Sequence, residues 1–166
     1  MTHVVLLGGA RSGKSQLALR LAERAGAPVV FVATGEALDD EMADRIDRHR
    51  GERPPEWSTI EEPVELERAL ASVPDGATAI VDCLSLWVAN LFESQPVDAL
   101  SAAAARAAAE RRGLTIAVTN EVGMGIVPDN ALARAYRDAL GRVNAQWAEA
   151  AGEAHLVVAG RTLSLS

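Results

Sequence analysis

The clearest chemistry in this sequence lies near its N-terminus, in eight consecutive residues that match the phosphate-binding pattern G-x-x-x-x-G-K-[ST]. In such a loop, backbone N–H groups at the start of a helix surround phosphate oxygens and the helix dipole adds positive potential. The lysine reaches the outer phosphates, and the final hydroxyl ligates Mg²⁺. The predicted nucleotide-binding residues are Gly8, Gly9, Ala10, Arg11, Ser12, Gly13, Lys14 and Ser15, with Mg²⁺ on Ser15.

A carboxylate able to complete this metal site ends a later apolar run. Ala77 to Asp82 reads as a buried strand whose last residue is acidic, the arrangement called Walker B. An apolar run followed by Asp is common, so the prediction depends on the phosphate loop upstream. With that loop present, we expect Asp82 to lie opposite Ser15 and to hold Mg²⁺ directly or through water.

A histidine among arginines is the third candidate. His49 lies in the last turn of a predicted helix, Leu38 to Arg50, which Gly51 and two prolines end. On one interpretation His49 is an ordinary helix-end histidine, and the nearby arginines are a solvated face paired with Asp44 and Asp47. On the other, basic residues concentrated around one imidazole in an acidic protein would receive an anionic phosphate; they are Arg45, Arg48, Arg50 and Arg53.

Alternating strands and helices must position these residues, which predicts an α/β fold with a mostly parallel sheet. We predict strands at His3–Leu7, Pro28–Ala33, Ala77–Asp82, Leu114–Thr119 and His155–Gly160, a short extended segment at Trp57–Glu62, and Arg161–Ser166 as a further edge strand. The predicted helices are Gln16–Ala22, Leu38–Arg50, Pro63–Ser72, Ser85–Phe92, Val97–Arg112, and one from Asp129 or Asn130 to about Ala151.

Two loops between these elements are candidate parts of a binding site. Ligands of parallel sheets bind at the carboxyl ends of strands, so Thr34 and Gly35 are candidate site residues, with an ordinary strand-to-helix turn as the equal alternative. Val122 to Pro128 is apolar yet interrupted by two glycines and a proline. Such a loop covers a ligand, meets a partner, or simply connects a strand to a helix.

Bulk composition narrows the class of protein. The 166 residues carry a formal net charge of -7 and are 49% hydrophobic, which suits one domain, residues 1–166, with a sizeable core. The acidic balance argues against nonspecific nucleic-acid binding. A single cysteine, Cys83, excludes an intrachain disulfide framework. No signal-like start or bilayer-spanning apolar run is evident, so we expect a soluble, cytoplasmic protein.

The motifs that are missing narrow the enzyme class further. A GTPase switch protein would add Asp-x-x-Gly and Asn-Lys-x-Asp, and neither occurs. His3, His49 and His155 lack the spacing of a metal hydrolase. There remain a small P-loop transferase, including a kinase of some small metabolite, and a RecA-like motor or regulatory ATPase.

The sequence resembles a known family, the adenosylcobinamide kinase/adenosylcobinamide-phosphate guanylyltransferases, bifunctional enzymes of cobalamin biosynthesis. Five motifs occur in order, and the resemblance runs nearly end to end. They are GGARSGKS at Gly8–Ser15, Ala33–Gly35 with Asp39–Met42, Arg45–Arg50 with Arg53–Pro54 and Trp57, Asp82–Trp87 with Asn90–Leu91, and Thr119–Pro128 followed by Gly141–Asn144. The segment from Phe92 to Ala99 is short, and the tail from Gly160 is less typical.

The resemblance implies a RecA-like P-loop fold, assembled as a homotrimer, and two reactions. A triphosphate, ATP or GTP, phosphorylates adenosylcobinamide; GTP then gives GMP to a histidine, here His49, and adenosylcobinamide phosphate takes it to form adenosylcobinamide-GDP. A neutral imidazole is a competent nucleophile for that step. The resemblance places GTP on Ala33, Thr34, Gly35, Arg50, Gly51, Glu52, Arg53 and Glu61. The loop at Val122–Pro128 would suit either the corrinoid or another subunit.

Overall fold

The computed structural model describes residues 3–37, 40–51 and 53–165, and in that part of the chain strands alternate with helices. The strands are β1 (His3–Gly8), β2 (Val29–Ala33), β3 (Ser58–Glu61), β4 (Thr78–Asp82), β5 (Thr115–Asn120), β6 (Glu153–Val158) and β7 (Arg161–Ser164). The helices are α1 (Lys14–Ala25), α2 (Asp40–Gly51), α3 (Leu66–Ser72), α4 (Leu84–Leu91), α5 (Val97–Glu110) and α6 (Ala131–Ala150).

The strands form one seven-stranded sheet in the order β3-β2-β4-β5-β1-β6-β7. Every pair is parallel except β6 with β7, which is antiparallel. The prediction of a mostly parallel sheet flanked by helices is therefore confirmed. One consequence matters for the site: β5 lies between β1, which leads into the phosphate loop, and β4, which ends at Asp82.

Both faces of the central strands are buried, and alternate residues of β1 show how. Val5 and Leu7 pack on one face with residues of α3 to α6, while Val4 and Leu6 pack on the other with Ala18 and Ala22 of α1. Strands covered on both faces read as continuous apolar runs, which is why the strands were evident in the sequence.

Several helix boundaries differ from the prediction by one to three residues: α1 is longer at both ends, α2 includes Gly51, and α4 begins and ends one residue earlier. The helix expected from Pro63 begins at Leu66, because the Glu62 carboxylate accepts hydrogen bonds from the N–H groups of Val64 and Glu65 and holds that segment in a turn. The alanine-rich helix ends at Glu110 rather than Arg112. Asn130, one of two candidate caps, is the residue that caps α6: its side chain accepts from the N–H of Ala133. No helix among the described residues is long and apolar enough to cross a membrane.

Candidate functional site

The phosphate loop connects β1 to α1 through a backbone that only glycine permits at two positions. A Cβ on Gly8 would lie 2.5 Å from the carbonyl oxygen of Val157 and 2.6 Å from Ser12 Oγ. Gly13 precedes α1 with a φ of 97°, in the left-handed region that favours glycine. The Gly160 N–H donates to the Ser12 carbonyl oxygen at 2.8 Å, so the turn between β6 and β7 supports the loop from behind.

Lys14 and Ser15 are the two loop residues that face a cavity. Lys14 is nearly buried, and its Nζ donates to the Gly9 carbonyl oxygen at 2.9 Å, so the ammonium group lies over the loop. Ser15 is in the first turn of α1, where the dipole and the first N–H groups favour an anion. These positions are the ones that the phosphate-loop pattern assigns to phosphate and metal contacts.

The opposite wall is built at the carboxyl ends of β2 and β4. Thr34 is fully buried: its hydroxyl donates to the Cys83 carbonyl oxygen at 2.8 Å and accepts from the Cys83 N–H at 3.0 Å. This side chain joins the two strand ends, while Ala33 and Gly35 line the cavity. Gly35 is therefore a cavity residue, whereas the Thr34 side chain has a structural role within the wall. The two differ because the side chains of neighbouring residues in an extended chain point in opposite directions.

Asp82 ends β4 and faces His49 from α2. The carboxylate Oδ2 lies 3.7 Å from His49 Nδ1, beyond hydrogen-bond range but close enough for an ion pair when the imidazole is protonated. The His49 side chain is 34% exposed, so the imidazole is accessible from the cavity. Met42, Ile46 and His49 all line this cavity, as their helical spacing predicts for one face of α2.

Some of the arginines around His49 line the cavity, where a phosphate could bind, and others lie on a solvated surface. Arg50 pairs with Glu61 on β3 and lies 3.6 Å from Asp47, so part of its charge is neutralised within the chain. Arg53 places its guanidinium carbon 3.4 Å from the centre of the Phe31 ring and donates to Thr59 Oγ1 at 3.2 Å. Both line the cavity, while Arg48 is exposed and does not line it. The side chain of Arg45 is not among those that the structure describes.

Burial changes the pKa of two groups beside the cavity. Burial lowers the pKa of Arg53, an effect that the nearby Asp82 carboxylate opposes. Burial, reinforced by Asp82, raises the pKa of the Cys83 thiol. The thiol therefore stays protonated at neutral pH, which argues for a packing role rather than a nucleophilic one.

These walls enclose one cavity of about 610 Å³, a size typical of ligand sites. Of the predicted residues, it is lined by Lys14, Ser15, Ala33, Gly35, His49, Arg50, Arg53, Glu61 and Asp82. Gly8 to Gly13 and Gly51 are not among its lining residues, and Thr34 lies behind the wall. Glu52 lies outside the described residues.

Several lining residues were not among the candidates, and Asn120 is one of the polar ones. It ends β5, between the phosphate loop and Asp82, and its Nδ2 donates to Ser85 Oγ at 2.9 Å. A polar residue at the carboxyl end of a buried strand is a signal that the sequence contains. The strand order, which decides that this end faces the cavity, is not readable from the sequence.

The donor set at the cavity suits a metal held jointly with a substrate. Among the described residues no group of three or more His, Cys, Asp or Glu side chains could hold a metal ion. Ser15 and Asp82 nevertheless both line the cavity, and hydroxyl and carboxylate oxygens are ligands of Mg²⁺ that act together with phosphate oxygens and water.

The fold and loop together define a P-loop nucleotide-binding protein, and solved structures agree. The flagellar accessory protein FlaH from Methanocaldococcus jannaschii aligns with 99% of this chain and 78% of its own, at a TM-score of 0.55 and 17% identity. A KaiC-like protein from Pyrococcus horikoshii aligns with 93% of this chain and 70% of its own, at a TM-score of 0.52 and 16% identity. Likeness at this identity shows the fold alone.

Comparison with related sequences identifies the family, which the structural likeness does not. The sequence model of the family "Cobinamide kinase / cobinamide phosphate guanyltransferase" matches residues 4–165. The bifunctional adenosylcobalamin biosynthesis protein CobP of Pseudomonas aeruginosa is 42% identical, over 97% of this chain and 95% of its own. Its counterpart CobU of Escherichia coli K12 is 39% identical, over 95% and 96%. The chain belongs to this family of bifunctional cobalamin-biosynthesis enzymes, as the sequence motifs predicted.

Proposed function

We propose that residues 1–166 form one P-loop domain that phosphorylates adenosylcobinamide and then transfers GMP from GTP to adenosylcobinamide phosphate through a His49–GMP intermediate. The observation that carries the proposal is the shared cavity: Lys14, Ser15, Asp82 and His49 all line it. Phosphate-binding groups and a nucleophile therefore face the same volume. The family to which the chain belongs supports both activities.

In the kinase step the phosphate loop binds ATP or GTP. Lys14 and the first N–H groups of α1 stabilise the negative charge of the phosphates, and the acceptor hydroxyl attacks the γ-phosphorus. Ser15 and Asp82 would hold Mg²⁺, which when bound neutralises charge on the phosphate oxygens. Their shared place in the cavity wall supports this assignment.

In the guanylyl step His49 attacks the α-phosphorus of GTP and pyrophosphate leaves. A phosphate oxygen of adenosylcobinamide phosphate then attacks the same phosphorus, the nitrogen–phosphorus bond breaks, and adenosylcobinamide-GDP forms. Because Nδ1 of His49 is directed at Asp82, we assign the attack to Nε2. The remaining proposed GTP contacts are Ala33, Thr34, Gly35, Arg50, Gly51, Glu52, Arg53 and Glu61.

Labelling separates this proposal from a simpler enzyme. Wild type incubated with α-³²P-GTP and Mg²⁺ and then denatured should carry label that acid removes and alkali does not. His49→Ala should abolish the label. His155→Ala is the matched control, because His155 lies on β6, where it pairs with Glu153 at 2.9 Å and does not line the cavity. Absence of label from active wild type would refute the intermediate and leave a P-loop kinase or a regulatory ATPase.

We further propose a cytoplasmic homotrimer that binds no nucleic acid. The net charge of -7 supports the last point. Exposed apolar side chains support self-association: Ile126 is 97% exposed, and Leu163 and Leu165 on and beside β7 are more than half exposed. Light scattering coupled to gel filtration should give three times the monomer mass, and a monomeric mass would contradict the trimer.

A further inference from the structure

Asn120 occupies a place in the cavity that no assigned function explains. It ends β5, and its register partner on β1 is Gly8, the first residue of the phosphate loop. On the other side, Asp82 of β4 pairs with Val118, two residues earlier on β5. Asn120 therefore lies between the phosphate loop and the acidic residue, where the transferred phosphoryl group would meet its acceptor.

Buried polar side chains hold both the side chain and the backbone of Asn120. Its Nδ2 donates to Ser85 Oγ at 2.9 Å, and Ser85 is 3% exposed. The backbone carbonyl oxygen of Asn120 accepts from Asn144 Nδ2 at 3.0 Å, and Asn144 Oδ1 accepts from the Thr119 hydroxyl at 2.7 Å. Because these anchors are buried, the amide is preorganised rather than mobile.

One atom of this amide remains for a ligand. With Nδ2 turned to Ser85, Oδ1 accepts no hydrogen bond from the part of the chain that the structure describes, and Asn120 lines the cavity. An amide oxygen accepts a hydrogen bond but does not take up the proton. A group of this kind orients a hydroxyl without acting as its base.

We propose that Asn120 Oδ1 accepts a hydrogen bond from the hydroxyl of adenosylcobinamide and aims its oxygen at the γ-phosphorus. The assignment rests on the proposed kinase step. In that step the hydroxyl oxygen bonds to the γ-phosphorus, and the bond from this phosphorus to the β–γ bridging oxygen breaks. The nucleoside diphosphate leaves, and the hydroxyl proton passes to an oxygen of the transferred phosphoryl group. Asn120 contributes orientation, which is worth as much as about 100-fold in rate.

The kinase reaction and the labelling of His49 can be measured separately, which makes the assignment testable. Labelling of His49 by GTP involves no cobinamide hydroxyl, whereas phosphorylation of adenosylcobinamide by ATP does. Asn120→Ala should lower kcat for the kinase reaction by about 10- to 100-fold and leave the rate of His49 labelling within about twofold.

Asn144→Ala is the structural control, since Asn144 anchors the backbone of Asn120 without lining the cavity. Asn144→Ala should lower the melting temperature and reduce the rates of the kinase reaction and of His49 labelling by similar factors. If Asn120→Ala reduced the kinase rate and the rate of His49 labelling by equal factors, the assignment would be overturned. Kinase activity of Asn120→Ala at the wild-type level would overturn it as well. Wild type that labels His49 but does not phosphorylate adenosylcobinamide would refute the kinase step itself.

Discussion

Replacing His3 with Phe should remove the part of the acid sensitivity of the fold that His3 contributes. His3 begins β1, is 1% exposed, and packs edge-on against Trp147 with ring centroids 5.5 Å apart. Burial lowers the pKa of His3 from 6.5 to about 4, and the Ala150 backbone opposes this only in part. The native protein thus holds a neutral imidazole at a pH where the unfolded chain already binds a proton.

The sign and the size of the effect follow from these two pKa values. His3 contributes its full stability above pH 6.5 and loses it as the pH falls toward 4, since protons then favour the unfolded chain. Between pH 7 and pH 5 the loss is about 2 kcal/mol, or about 30-fold in the unfolding constant, and it approaches about 3 kcal/mol at lower pH. A phenylalanine keeps the aromatic contact with Trp147 and binds no proton.

The assay is urea unfolding of wild type and His3→Phe, followed by tryptophan fluorescence at pH 7 and pH 5. The free energy of unfolding should fall by about 2 kcal/mol less in the variant between the two pH values. Other titrating groups are common to both proteins, so their contributions cancel in this difference. Equal losses in the two proteins would refute the reasoning that His3 is buried in its neutral form.

Two further predictions concern the cavity. Gly8→Ala should weaken binding of a fluorescent ATP analogue at least about tenfold, because its methyl group would meet the Val157 carbonyl oxygen at 2.5 Å. Gly9→Ala is the matched control, since a Cβ there meets nothing within 4 Å, and equal affinities for the two variants would contradict the close packing. Thr34→Val should lower the free energy of unfolding by about 1–3 kcal/mol, because both its hydrogen bonds to Cys83 are buried. The exposed Thr59→Val should cost less, and an unchanged melting temperature for Thr34→Val would contradict the proposed link between the strands.

Much of the site was predictable because its signals are local in the sequence. The phosphate loop, the acid that ends β4 and the helical face of His49 are each a short pattern next to one element. His49 Nδ1 and Asp82 Oδ2, 33 positions apart in the chain, lie 3.7 Å apart because α2 and the end of β4 line the same cavity. Their individual roles remain predictions, which the labelling and kinetic tests address.

The sequence by itself determined the class of fold, the nucleotide loop and the family, because buried strands, glycine turns and residue-type motifs depend on near neighbours along the chain. Only the tertiary structure decided that Thr34 points into the wall, that Arg50 pairs with Glu61, and that Asn120 faces the cavity. These outcomes depend on the order of the strands and the direction of each side chain. Both are set by contacts between residues far apart in the chain, which no local pattern encodes.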